Sequence, residues 1–140
     1  MLAFLKKLIP RWVFNFFQPI YHHKLALLAA LVYRFPSRHL YVIGITGTNG
    51  KSTTVELVAH ILEEAGNKTA SFSSVRFRIG EREQPNDLKM TMPGRFAMQK
   101  LLWEAVRQGC THAVLEVTSE GIKQFRHKFI DLDALIFLNL

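Results

Sequence analysis

The spacing of hydrophobic positions changes character at about residue 40. Before that point apolar residues recur at helical intervals: Leu5, Leu8, Ile9, Trp12, Val13, Phe16, Phe17 and Ile20, then Leu27, Leu28, Leu31, Val32 and Phe35 on one face. Pro10 and Pro19 are expected to break the first series into short helical pieces, because proline lacks a backbone donor and crowds the preceding turn. From Leu40 the pattern becomes that of strands and helices in alternation. Leu40 to Thr46 is a short β-branched run that reads as a buried parallel strand. Ser52 to Ala65 returns to helical spacing, with Val55, Val58, Ala59 and Leu62 on one face and Gly66-Asn67 as its stop. Lys68 to Ser74 reads as a second strand, Val75 to Ile79 as an exposed alternating strand ending at Gly80, and Glu81 to Asp87 as a polar loop. A helix follows over Arg95 to Gln108, with Phe96, Leu101, Leu102, Ala105 and Val106 in its apolar stripe and Gly109 after it. His112 to Val117 and residues 133–139 are two further apolar strands. The expected fold is three-layer α/β of P-loop type, with a parallel sheet built at least from strands near 40–46, 112–117 and 133–139. A helical segment, residues 1–39, precedes this α/β part, residues 40–140. Strand order does not follow from the pattern.

Composition sharpens the division. The 140 residues suffice for one domain, and 49% hydrophobic against 21% charged residues supports a packed core. A single cysteine, Cys110, excludes a disulfide framework and a cysteine-built zinc site. The formal charge of +7 comes almost wholly from residues 1–40, which hold Lys6, Lys7, Arg11, Lys24, Arg34 and Arg38 and no acid. The remaining residues are nearly neutral, which removes the case for a nucleic-acid partner. The first 40 residues also carry half of the aromatics. Their longest apolar run, Leu25 to Tyr33, falls well short of the ~20 residues a membrane-spanning helix needs. Three readings of this segment stand: a helical hairpin packed on the α/β part, an in-plane anchor at an anionic membrane involving residues 1–38, or a cleaved leader. A nucleotide site beginning near residue 44 opposes the last, since ATP is cytosolic. The adjacent His22 and His23 diverge by about 100° on a helix, which suits interfacial or surface histidines better than a metal pair.

The chemistry starts where the first strand ends. Gly47-Thr48-Asn49-Gly50-Lys51-Ser52-Thr53 joins that strand to the following helix, in the order a phosphate-binding loop requires. Gly47 and Gly50 allow a tight turn that presents N–H groups to phosphate oxygens, and the helix N-terminus adds positive potential. Lys51 can reach the β- and γ-phosphates, and Ser52 offers a hydroxyl to Mg²⁺. A lysine in the first helical turn opposes the helix dipole, so a bound anion explains it better than chance. The general motif G-x-x-x-x-G-K-[ST] fails by one position, since residue 45 is Ile45 and the glycine is Gly44. Glu116 near the carboxyl end of its strand can face Mg²⁺ opposite Ser52, because ligands gather at the carboxyl ends of parallel strands. A solvated strand-end glutamate is the plain alternative.

The variant loop Gly44-Ile45-Thr46-Gly47-Thr48-Asn49-Gly50-Lys51-Ser52-Thr53-Thr54 closely resembles the ATP loop of the Mur ligases, the amide-forming ligases of peptidoglycan precursor synthesis, to which folylpolyglutamate synthase is related. Met90-Thr91-Met92-Pro93-Gly94 resembles the Thr-Thr-Pro segment that touches substrate in the branch acting on UDP-N-acetylmuramoyl dipeptides, with Met92 in place of the second threonine. Glu116 to Arg126 resembles that branch's Glu-x-Ser-Ser-His-Gly-x-x-Gln-x-Arg segment, with Thr118 for serine and Glu120 for histidine. The resemblance implies an acyl-phosphate mechanism: ATP phosphorylates a carboxylate and an incoming amine displaces phosphate. It implies Lys51 as the catalytic lysine, ATP held by residues 47–53, Mg²⁺ by Ser52 and Glu116, and a UDP-muramoyl peptide by Thr91, Thr118, Gln124 and Arg126, with an amino acid as second substrate. Taken alone, Arg126-His127-Lys128 also reads as a solvated basic turn, and Pro93-Gly94 as a turn before a helix. A cytoplasmic setting follows from the resemblance, with the inner membrane face as the setting of residues 1–38 under the anchor reading. The resemblance covers about residues 40–140, so the chain is expected to carry only the first part of the central ATPase domain of a larger ligase. Within the family a folylpolyglutamate-type ligase or a subunit amidating a lipid-linked precursor remains open. Outside it, the rival is a membrane-attached P-loop NTPase without ligase activity.

Overall fold

The computed structural model describes residues 11–88 and 90–140, with side chains from Gln18 onward. The expectations for Pro10, for Lys6 and Lys7 and for the Trp12/Phe16/Phe17 cluster lie outside the described residues and side chains. Helix α1 (Arg11–Val32) runs unbroken through Pro19. Proline here removes one backbone hydrogen bond without ending the helix, so the expected break at Pro19 does not occur and the described part is one helix rather than a hairpin. Its packed face also differs from the leucine stripe. Ala26, Ala29 and Ala30 are buried, whereas Leu27, Leu28, Leu31 and Val32 face outward. Small side chains let α1 lie close on its neighbour, and a leucine face would hold the two apart. A short 3₁₀ turn, Pro36–His39, then leads into the sheet.

Six strands form one sheet in the order β4-β3-β2-β5-β1-β6. Strand β1 (Tyr41–Thr46), next to one edge, pairs in parallel with β5 (His112–Glu116) on one side and the edge strand β6 (Ala134–Phe137) on the other. Ile45 lies opposite Glu116, which brings the ends of β1 and β5 level. The strands expected near 40–46, 112–117 and 133–139 are thus direct neighbours. β2 (Thr69–Phe72) extends the parallel set beyond β5, and its residues are buried throughout. β3 (Arg76–Ile79) turns back antiparallel at Ser73-Ser74-Val75 and carries one buried residue, Phe77. The polar stretch expected as a loop contains a strand instead: β4 (Arg82–Pro85) pairs with β3 across Gly80-Glu81. All four of its residues are exposed, so no hydrophobic alternation could announce it. Cross-strand pairing holds it, including Arg76 Nη1 donating to Glu83 Oε1 at 2.7 Å.

Helices cover both faces. α2 (Lys51–Glu64) lays Val55 and Ala59 on Ile43, Ile45 and Val114. On the opposite face α3 (Arg95–Arg107) lays Met98, Leu101, Leu102 and Ala105 on Val42, Phe72, Ala113 and Leu115. α1 packs on α3 from outside. The buried Gln99 of α3 donates through Nε2 to the Phe129 carbonyl at 3.1 Å and so ties down the segment before β6. A short helix α4 (Ser119–Lys123) follows β5. β6 is half-covered: Ala134 and Ile136 pack on the α2 side, while Leu135 and Phe137 are exposed.

The alanine face of α1 predicts a contrast. Ala30→Leu, at a fully buried position, should cost about 1–3 kcal/mol of stability by overpacking. Leu31→Ser, one residue on, should stay within about 0.5 kcal/mol. Denaturant unfolding of both variants checks this; equal losses would place the packed face elsewhere.

Candidate functional site

The loop between β1 and α2 takes its shape from its glycines. Gly50 caps α2 with φ of 81°, and Gly47 has φ of 145°, both in the region that a side chain disfavours. A Cβ on Gly47 would also meet Leu138 Cβ at 3.1 Å. Gly44, the offset glycine, lies inside β1 and has a packing role. A Cβ there would come within 3.0 Å of Leu135 and 3.2 Å of Val117.

Lys51 is the first residue of α2 and folds over the loop. Its Nζ donates to the Gly47 carbonyl at 2.8 Å and the Thr48 carbonyl at 3.0 Å, and lies 4.0 Å from Glu116 Oε1. Ser52 Oγ donates to Glu116 Oε2 at 2.9 Å. Glu116 is only 3% exposed, and the same oxygen accepts from the Ser74 backbone N–H at 3.0 Å. Ser74 Oγ adds a contact to Ser52 Oγ at 2.7 Å. The expected residues Lys51, Ser52 and Glu116 are therefore brought together at the carboxyl ends of β1, β2 and β5. Thr53 is exposed in the first turn of α2, and Thr48 and Asn49 are exposed on the loop. The oxygens of Ser52, Ser74 and Glu116 converge from three segments, which matches the donor set a small hard cation takes.

Two residues of this site escaped the sequence reading. Ser74 carried only a weak signal, its place just past the end of a parallel strand. Asn139 carried none, since it acts across 90 residues of sequence. Its Oδ1 accepts from the N–H groups of Thr48 at 3.0 Å and Asn49 at 3.1 Å, and its Nδ2 donates to the Asn49 carbonyl at 3.3 Å. The segment after β6 thereby fixes the outer turn of the loop.

The remaining candidates form a second cluster joined to the first through β5. Thr118 caps α4, its Oγ1 accepting from the Gly121 N–H at 3.0 Å, so its oxygen serves the fold while its proton stays available. Glu120 accepts from Gln124 Nε2, which turns Gln124 Oε1 toward Arg126. That oxygen accepts from Arg126 Nη2 at 2.8 Å and Nε at 3.2 Å. Arg126 Nη1 also donates to the Met92 carbonyl, next to the half-buried Thr91. Met92 itself is fully buried in the core against Gly121. Among the expected contacts, Gln124 and Arg126 are locked together, and Arg126 adjoins the turn that carries Thr91.

A mainly parallel sheet covered by helices on both faces, with a glycine loop feeding a helix from the carboxyl end of β1, defines a three-layer fold of P-loop type. A family model described as the Mur ligase middle domain matches residues 45–140, and the chain belongs to that family. A UDP-N-acetylmuramyl-tripeptide synthetase from Roseiflexus sp. (strain RS-1) is 41% identical over 118 residues, covering 83% of this chain and 23% of the relative. A protein of the same name from Treponema pallidum (strain Nichols) is 36% identical over the same length, covering 83% of this chain and 22% of the relative. The solved structure of a UDP-N-acetylmuramoyl-L-alanyl-D-glutamate–2,6-diaminopimelate ligase superposes with a TM-score of 0.64 at 28% identity, covering 70% of this chain and 19% of that one. The chain thus spans about a quarter of the length of the curated relatives it matches.

The Ser52–Glu116 pair carries a test. Glu116→Gln keeps the shape and removes the charge, so Mg²⁺ should bind at least about tenfold more weakly in the presence of ADP. Calorimetric titration of both proteins reads this out; equal Mg²⁺ affinity would remove Glu116 from the metal-holding set.

Proposed function

We propose that this chain is the nucleotide-binding part of an ATP-dependent ligase that adds an amino acid to a UDP-N-acetylmuramoyl peptide in peptidoglycan precursor synthesis. The observation that carries the reading is the placement of Lys51, Ser52 and Glu116 around one point at the sheet's carboxyl edge. The names of the relatives support the substrate class. In this reading residues 40–140 are the first part of a central ATPase domain and residues 1–39 a separate helical segment. The setting is cytoplasmic.

The residues fit the groups the reaction needs. Gly47 to Thr53 surround the phosphates, with the N-terminus of α2 aimed at them. Ser52 and Glu116 would hold Mg²⁺, which would supply neutralising charge to the phosphate groups. Lys51 leaves its two loop carbonyls, or shares its protons with them, to stabilise charge on the transferred phosphoryl group. The acceptor is a substrate carboxylate, and attack of the amine on the resulting acyl-phosphate forms the amide and expels phosphate. Thr91, Thr118, Gln124 and Arg126 would position the muramoyl peptide, with Arg126 offering a planar fork to an anionic group. Lys51→Ala should lower turnover of the intact enzyme by about 2–4 kcal/mol of transition-state stabilisation. Wild-type rates of ADP release with muramoyl dipeptide and amino acid present would overturn the reading.

The outer face of α1 supports peripheral attachment to an anionic membrane through residues 1–38. Tyr21, Leu28, Leu31 and Val32 are all more than half exposed. No helix among the described residues is long and apolar enough to cross a membrane, so an in-plane position is the relevant one. The sequence of residues 1–38 carries six basic side chains and no acid, each basic group worth about 1 kcal/mol near an anionic surface. The chain should sediment with phosphatidylglycerol vesicles at low salt and less at high salt. Leu28→Glu with Leu31→Glu should abolish this without unfolding the protein. A chain that stays in the supernatant at low salt removes the anchor.

A further inference from the structure

The end of α3 nearest the Arg126 cluster is electrostatically odd. Helix N-termini favour acids and side-chain caps, yet α3 has neither an acid in its first turn nor a capping side chain at Gly94. It opens with a cation, Arg95, and places it beside a second, Arg126. Arg95 Nη2 donates to the Gln124 carbonyl, while Arg126 grips the Gln124 side chain, so one residue holds both guanidinium groups. Among the described residues neither has a carboxylate within ion-pair distance. Residues 1–17 and Lys89 could not supply one, since none of them is acidic.

α1 brings a third group to the same place. Both ring nitrogens of His22 are buried without a hydrogen-bond partner among the described residues, and so is Arg95 Nε. His23, one position on, packs edge-on against Phe129 with ring centroids 5.1 Å apart and against Phe125 at 6.3 Å, which fixes this turn of α1 over the loop. Burial lowers the pKa of His22, and the charges of Arg95 and Arg126 lower it further. Burial and then Arg126 also lower that of Arg95. A desolvated guanidinium with an unpartnered Nε, beside a second guanidinium and an unpartnered imidazole, is the complement of a missing anion.

We propose that His22, Arg95 and Arg126, at the N-terminus of α3, form a subsite that binds a carboxylate or phosphate group of an acidic substrate. The identity of that substrate rests on the ligase reading; the site itself does not. Arg126 presents the group to the Thr91 turn. Arg95 supplies the second fork. His22 closes the site from α1, so the helical segment takes part in substrate binding as well as in covering the α/β part.

The test uses the whole chain labelled with ¹⁵N-histidine, the His22 ring signals being assigned with His22→Asn. Inorganic pyrophosphate and alanyl-glutamate are titrated separately, each with ADP saturating the phosphate loop. Saturable movement of the His22 ring signals with either anion, together with a raised titration midpoint for that ring, is the expected result. The anion that acts identifies phosphate or carboxylate as the group taken. Arg95→Gln should weaken that binding about tenfold, the scale of one charge-assisted hydrogen bond, and leave ADP affinity unchanged. Silence of the His22 ring toward both anions, or an unaltered response in Arg95→Gln, overturns the subsite. A chain that binds the anion but not ADP supports the subsite and overturns the nucleotide reading instead.

Discussion

A carboxylate that is almost wholly removed from water must be compensated within its own neighbourhood, and at Glu116 that requirement organises the centre of the fold. Its partners come from two places in the chain: the start of α2, which supplies Ser52 and the lysine that folds over the glycine loop, and the turn after β2, which supplies Ser74. None can be moved independently. The parallel register of β1 and β5 sets Glu116 level with Ile45, and from there the loop has only a few residues in which to turn into α2. Loop, strand ends and helix start thus form one polar assembly on an apolar base, and an anion or cation arriving there replaces contacts that already exist. Pre-arranged donors and acceptors of this kind lose little in reorganising when charge develops.

Much of this was legible in the sequence because it is local. The run Leu40 to Thr46, the glycine loop and the helix behind it are contiguous, and each reports its own geometry through β-branching, glycine placement or periodicity. The elements misread fail for physical reasons. β4 is entirely exposed, so its strand character resides in pairing with β3 rather than in its own residues. The leucines of α1 carry the stronger hydrophobic signal, yet the alanines are what face α3, since closeness of approach decided the packing. Pro19 marks a lost hydrogen bond but does not set the end of α1. Asn139 and Ser74 act over long separations, and a single sequence has no term for a contact between residues 49 and 139.

α1 has two faces with different demands. Toward α3 it offers alanines, and midway along it His23 packs on Phe125 and Phe129. Outward it offers large apolar side chains beside Lys24. The same helix thus reaches the arginine cluster through one side and presents leucines to solvent on the other.

The two edges of the sheet are unlike in kind. β4 closes one side with Arg82, Glu83, Gln84 and Pro85, charged and polar side chains followed by a residue that cannot donate, a combination that discourages further pairing. β6 closes the other with Leu135 and Phe137 exposed and no helix over that face among the described residues. Growth of this sheet therefore has a direction. A strand added from the same polypeptide or from another copy meets a hospitable apolar rim only at β6, beside the phosphate loop.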